Sequence, residues 1–124
     1  MKLAKLDRTL AKPTPSPEYF DGRVFMQHLV TKEDSRELEL IAVFFERGAR
    51  TIPHTHSTDQ LLWVVEGRCV VAVESGRREL GPGESALLAA NGWHWHGAAP
   101  GHTACHISIR MPGSSDWNQP KRDW

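Results

Sequence analysis

The chain has 124 residues, in which 15 basic and 15 acidic side chains cancel and 40% of residues are hydrophobic. This length supplies one core and leaves no residues for a second domain. The balanced charge, with no basic block, excludes an electrostatic grip on nucleic acid or on an anionic membrane.

Residues 1–10, MKLAKLDRTL, interleave apolar residues with charges, and no later stretch has the length and apolarity to span a bilayer, so a cytoplasmic protein is expected. Residues 12–17, KPTPSP, carry three alternating prolines, which fit neither a helix nor a central strand. Residues 1–18 therefore read as an extended arm, laid along the body of the protein or along a neighbouring subunit. A turn at residues 18–22 enters a strand over 23–30, and a charged loop leads to a second strand over 37–45. That second strand begins with alternation and ends almost wholly apolar, as a strand covered on both faces would.

Beyond the turn at residues 46–48, Thr51-Ile52-Pro53 leads into His54-Thr55-His56, and residues 60–65 form an apolar strand ending at Glu66-Gly67. Residues 69–74 and 77–80 flank Ser75-Gly76, read as a two-residue hairpin turn. Further strands are expected over 84–89, through the cluster Trp93-His94-Trp95-His96, and over 103–111. A polar tail, 112–124, carries Trp117 and Trp124, whose place is expected to be docked on the body or on a partner subunit. About ten short strand signals at regular spacing, with Gly and Pro between them, predict an all-β sandwich or barrel. Cys69 and Cys105 lie in apolar strand surroundings and read as buried free thiols.

On a strand, residues i and i+2 share a face, so His54 and His56 reach one point. Imidazole nitrogen suits Zn, Mn, Fe, Ni and Cu, and a third histidine from a distant strand completes a set with open positions. Gln60 offers a neutral carbonyl oxygen as a fourth ligand or holds a ligand water. His96 shares parity with His94 and is a further ligand, a base, or a group that positions one. His106 shares parity with Ala104, Ser108 and Arg110; if Cys105, Ile107 and Ile109 pack outward, it faces the cavity and is the better base or acid, with His96 second. Trp63, Trp93 and Trp95 read as packing groups, and Val43, Phe45 and Leu62 as apolar pocket walls.

Gly48, His54, His56, Gln60 and Gly67 meet the first motif of the cupin superfamily, with Gln60 where the usual glutamate stands. The second motif is met by Gly83 and His94, while its proline, glycine and final asparagine fall on Ala89, Asn91 and Ala98. The chain thus resembles small cupins over residues 20–111. The resemblance implies a double-stranded β-helix, the cupin jelly-roll barrel, over residues 19–111, with a divalent metal held by His54, His56, Gln60 and His94. The run His94-Trp95-His96-Gly97-Ala98-Ala99-Pro100, His106 on the last strand, and the entry Tyr19-Phe20-Asp21-Gly22 are similar to the manganese-dependent bacterial hydroxynitrile lyases. That likeness implies manganese, ahead of Fe, Zn, Ni or Cu, and cyanohydrin cleavage and formation on a small, mostly apolar substrate. A glutamine in place of a carboxylate leaves the charge of a divalent ion uncompensated, which strengthens it as a Lewis acid. Two alternatives stand beside the lyase: a non-haem metal oxygenase, and a metal-anchored barrel that binds a small ligand without chemistry. An apolar strand face on so small a chain points to a homodimer or homotetramer.

Overall fold

A computed structural model describes residues 1–122 and 124; Asp123, within the predicted tail, lies outside the described residues. Among the described residues the regular structure is all β apart from two single 3-10 turns, Arg8–Leu10 and Pro17–Tyr19. In chain order the strands are β1 (Lys12–Pro13), β2 (Phe20–Asp21), β3 (Val24–Val30), β4 (Glu39–Phe45), β5 (Arg50–Thr51), β6 (Thr55–His56) and β7 (Gln60–Gly67). They continue with β8 (Cys69–Val73), β9 (Gly76–Leu80), β10 (Ser85–Leu88), β11 (His94–Ala98), β12 (Ala104–Arg110) and β13 (Ser115–Asp116). One sheet runs β1-β3-β4-β12-β7-β10 and faces a second, β2-β5-β11-β8-β9, in a jelly-roll barrel; β13 and β6 pair separately. The predicted barrel is the observed one.

Alternation decides what each strand buries. On β12, Ala104, His106 and Ser108 point into the barrel, while Cys105 and Ile107 pack outward in a cluster with Leu29, Ala42 and Phe44. The N-terminal arm covers that outer cluster: Leu6 and Ala11 pack against it, Arg8 lies 4.6 Å from the Phe44 ring centroid, and Lys12 and Pro13 pair with Met26 and Phe25. Proline is tolerated there because β1 is an edge strand. The arm therefore lies along its own barrel. Phe44 and Phe45 point to opposite faces, each 1% exposed, so the apolar end of β4 is covered on both sides as its sequence suggests. Full burial of each ring contributes roughly 1.5–3 kcal/mol. Phe45 packs inward with Val24, Val43, Val64, Cys69, Ala98 and Ala104.

Two local features differ from the sequence reading. The strand at 60–65 alternates instead of being apolar on both sides: Gln60, Leu62 and Val64 are buried, whereas Trp63 is 47% exposed on the outer face. The hairpin loop is Glu74-Ser75, because Gly76 already pairs with Val73. Both cysteines are buried free thiols, each pushed up to about 12, chiefly by burial. No helix among the described residues is long and apolar enough to cross a membrane.

Close backbone approach shapes the histidine end of the barrel. A Cβ on Gly97, the residue after His96, would meet Ala49 O at 2.5 Å and Arg50 Cβ at 2.4 Å, so glycine is what lets β11 lie against β5. Gly67 closes β7 with φ of 72°, and a Cβ there would come within 2.0 Å of Thr103 O. Between these strands Val65 is an extra residue on β7, since Cys105 faces Glu66 and His106 faces Val64. Such a bulge bends the strand beside the site.

Candidate metal centre

His54, His56 and His94 are brought together by two chain segments. His54 forms an isolated antiparallel bridge with His94, donating its N–H to the His94 carbonyl at 2.9 Å and accepting the His94 N–H at 3.1 Å. His56 follows on β6, so that one ligand nitrogen from each ring lies within 4.8 Å of the other two. All three are buried, at 1%, 6% and 2% exposure.

The second nitrogen of each ring is tied down. His54 Nδ1 lies 2.8 Å from Ile52 O and His94 Nδ1 lies 2.9 Å from Gly92 O. A carbonyl only accepts, so both rings carry their proton on Nδ1 and leave Nε2 with a lone pair. His56 Nδ1 is 2.7 Å from Ser115 Oγ on β13 and 3.0 Å from Arg110 Nη1. Burial holds the histidines neutral, the form that ligates. Burial first, then the neighbouring His94, puts His54 well below its usual range; burial, then the Arg110 guanidinium, takes His56 down to about 3; burial also lowers His94.

Gln60 is 5% exposed and donates from Nε2 to Ser108 Oγ at 2.7 Å. Its Oε1 and His94 Nε2 are buried without a hydrogen-bond partner. Orphaned buried acceptors are costly unless something fills them. The clustered imidazole nitrogens, with an unsatisfied amide oxygen on the cavity wall that His54 and His56 also line and His94 standing beside it, are a donor set that fits a divalent metal ion.

A second histidine group shares the cavity. His106 Nε2 and His96 Nδ1 lie 3.0 Å apart, and the outer atoms of the pair, His96 Nε2 and His106 Nδ1, are buried with no partner. Burial, and for His96 its neighbour His106, puts His96 well below its usual range; burial takes His106 down to about 4. His106 is fully buried, and its ring stands 5.3 Å from that of Phe45.

The cavity has a volume of about 260 Å³, and its lining includes His54, His56, Gln60, His96, His106 and Val43. Phe45 and Leu62, expected at the walls, are not among its lining. Phe45 stands behind the His96–His106 pair in the core, and Leu62 is packed with Val71 and Leu88, because its inward face meets the opposite sheet. Parity along β12 already placed Ser108 and Arg110 on the cavity face, and both line it; their roles went unread. Ser115 carried no positional signal in the sequence, whereas Trp117 was expected to dock on the barrel or on a partner subunit. Trp117 stacks on the His54 ring at 4.0 Å and on Tyr19 at 4.3 Å, and Trp124 donates from Nε1 to Thr51 O at 2.8 Å. The tail docks on its own barrel.

Comparison with known proteins agrees with this architecture. The family described as Cupin domain matches residues 30–109. An (R)-mandelonitrile lyase of Granulicella tundricola is 34% identical over 110 residues, covering 86% of this chain and 84% of that protein. The pectin degradation protein KdgF of Dickeya dadantii is 32% identical over 82 residues, covering 65% of this chain and 71% of that one. Among solved structures, a cupin-like protein of Thermotoga maritima superposes with a TM-score of 0.78 at 32% identity, covering 86% of this chain and 84% of that one. The polyketide cyclase RemF of Streptomyces resistomycificus shares the fold, with a TM-score of 0.78 at 19% identity over 98% of this chain and 89% of that one.

Proposed function

The chain belongs to the cupin family, and from that premise we propose that it is a metal-dependent enzyme acting on a small molecule, as a lyase that cleaves and forms cyanohydrins. One observation carries the reading: a convergent, buried histidine triad, two of whose members line the cavity with Gln60, stands beside a pair of histidines hydrogen-bonded to each other on the same cavity wall. The 34% identity to a mandelonitrile lyase supports the reaction class. His54, His56, His94 and Gln60 would hold the ion, which supplies Lewis acidity toward an alkoxide or carbonyl oxygen.

The histidine pair does the proton work. One proton lies between His106 Nε2 and His96 Nδ1, so of the two outer nitrogens one carries a lone pair and the other an N–H. The lone-pair nitrogen takes the proton of the substrate hydroxyl. The C–C bond to the nitrile breaks, its electron pair leaves with cyanide, and the carbon–oxygen bond becomes a carbonyl. The N–H at the other end passes its proton to cyanide, and the shared proton shifts between the rings to restore a neutral pair. Burial keeps both rings neutral at pH 7, as this exchange requires. His106 is the base in this reading and His96 its partner.

Likeness to manganese-dependent lyases supports manganese as the ion. Protein loaded with manganese and mixed with mandelonitrile is expected to release benzaldehyde above the metal-free control; no release overturns the lyase. Elemental analysis of protein purified without added metal tests the ion, and iron or copper would move the reading to an oxygenase.

A further inference from the structure

Among the described residues, Arg110 is the one charged side chain in the cavity lining, and no acidic residue lines it. Its described contacts, 3.0 Å to His56 Nδ1 and 3.5 Å to Ser115 Oγ, both run from Nη1. No described carboxylate pairs with it, although five other basic side chains make ion pairs at the surface. The rest of the guanidinium fork, Nη2 and Nε, carries no described hydrogen bond. A partly buried arginine facing a cavity with half its donors unspent is a cradle for a planar anion.

Its position gives the anion a direction. Arg110, Ser108 and His106 follow one another on the inward face of β12, with His106 fully buried and Arg110 at the more open end. Across the sheet Arg110 pairs in register with Gln60, so the cation stands beside the metal-ligand set and four residues along the strand from the histidine pair. The contact to His56 is itself exchangeable. Ligation through His56 Nε2 puts that ring's proton on Nδ1, which then donates to Ser115 Oγ and no longer accepts from Arg110. The donor so released belongs to a side chain that lines the cavity.

We infer that Arg110 binds a carboxylate on the substrate, so that the preferred molecule is an oxo- or hydroxy-acid with its reacting oxygen toward the metal ligands and its carboxylate toward the mouth. This rests on the metal-enzyme reading and changes its substrate class from small, mostly apolar molecules to small anions. A neutral set of three imidazoles and an amide around a divalent ion, with Arg110 added, leaves the site strongly positive and strengthens the case for an anionic guest.

The test is calorimetric titration of manganese-loaded protein with the three formylbenzoate isomers and their neutral formylbenzamide counterparts. At least one carboxylate is expected to bind tenfold or more tightly than its amide. Arg110→Gln is expected to remove that preference, and Arg110→Lys to keep part of it, since a point charge replaces the fork. Equal affinity for every acid and amide in the wild type, or a preference that survives Arg110→Gln, overturns the inference. Failure of the underlying reading looks different: a protein that retains no manganese yet prefers the carboxylate through Arg110 sinks the metal enzyme and leaves the anion site standing.

Discussion

Two sets of histidines stand side by side with similar burial, yet their hydrogen bonds suit them to different work. In His54 and His94 the second ring nitrogen is spent on a backbone carbonyl, and in His56 on a serine hydroxyl and a guanidinium. In His96 and His106 the inner nitrogens meet only each other. In His54 and His94 a carbonyl that only accepts pins the ring proton, so each ring has one tautomer and presents one lone pair, as a metal ligand needs; His56 takes the same form when its Nδ1 donates to Ser115 Oγ. A pair joined through a shared proton has two tautomeric arrangements of similar makeup, which is what a proton carrier needs. On the proposed reading, what divides ligand from base is the partner of the far nitrogen, since exposure does not separate the two sets.

The sharpest way to break this comparison is to remove one member of each set. His106→Gln is expected to lower turnover by about 10²–10⁴ while the protein keeps its full metal content, measured by steady-state rates beside elemental analysis. Loss of metal along with activity would put His106 among the ligands. His94→Ala is expected to weaken metal affinity by more than about 100-fold, beyond the range for groups that merely orient a ligand. A competition titration with a chelating dye reads this, and unchanged affinity would dismantle the ligand set.

Acid should reveal the neutral pair. His106 is held at about 4 in the folded protein, against 6.5 for an unperturbed ring. Between these values the unfolded chain takes up a proton that the folded one does not. The contribution is therefore complete above pH 6.5 and falls, by up to about 1.4 kcal/mol per pH unit, as pH drops toward 4. Urea midpoints of metal-free protein from pH 7 to 4.5 should fall more steeply for the wild type than for His106→Phe; parallel slopes would mean that His106 is not the buried neutral ring described. The mildest perturbation is Ser115→Ala, which removes the hydroxyl from His56 and should cost about 10-fold in metal affinity with the fold intact.

Much of this site could be read along single strands. The spacing from His54 to His56 and the parity of β12 need only the two-residue repeat of a strand, and they placed His56, His106, Ser108 and Arg110 on the cavity side. What escaped depended on distant segments. Leu62 has inward parity as well, but Val71 and Leu88 fill the space in front of it, and Phe45 has the His96–His106 pair between its ring and the cavity. Ser115 belongs to a segment with no apolar alternation at all, and its meeting with His56 is set by β13 folding back onto β6. Parity predicts a face; it does not say what already occupies it.

That return of β13 also bears on the order in which the site is assembled. His56 is synthesised 59 residues before Ser115. At roughly 5–20 residues per second this is an interval of about 3–12 seconds in which His56 exists without the hydroxyl that orients it. His94 arrives within that interval, but the strand that closes over the first motif emerges last. On the proposed reading, selection among metal ions therefore falls to the completed barrel, where ring orientation and charge act together.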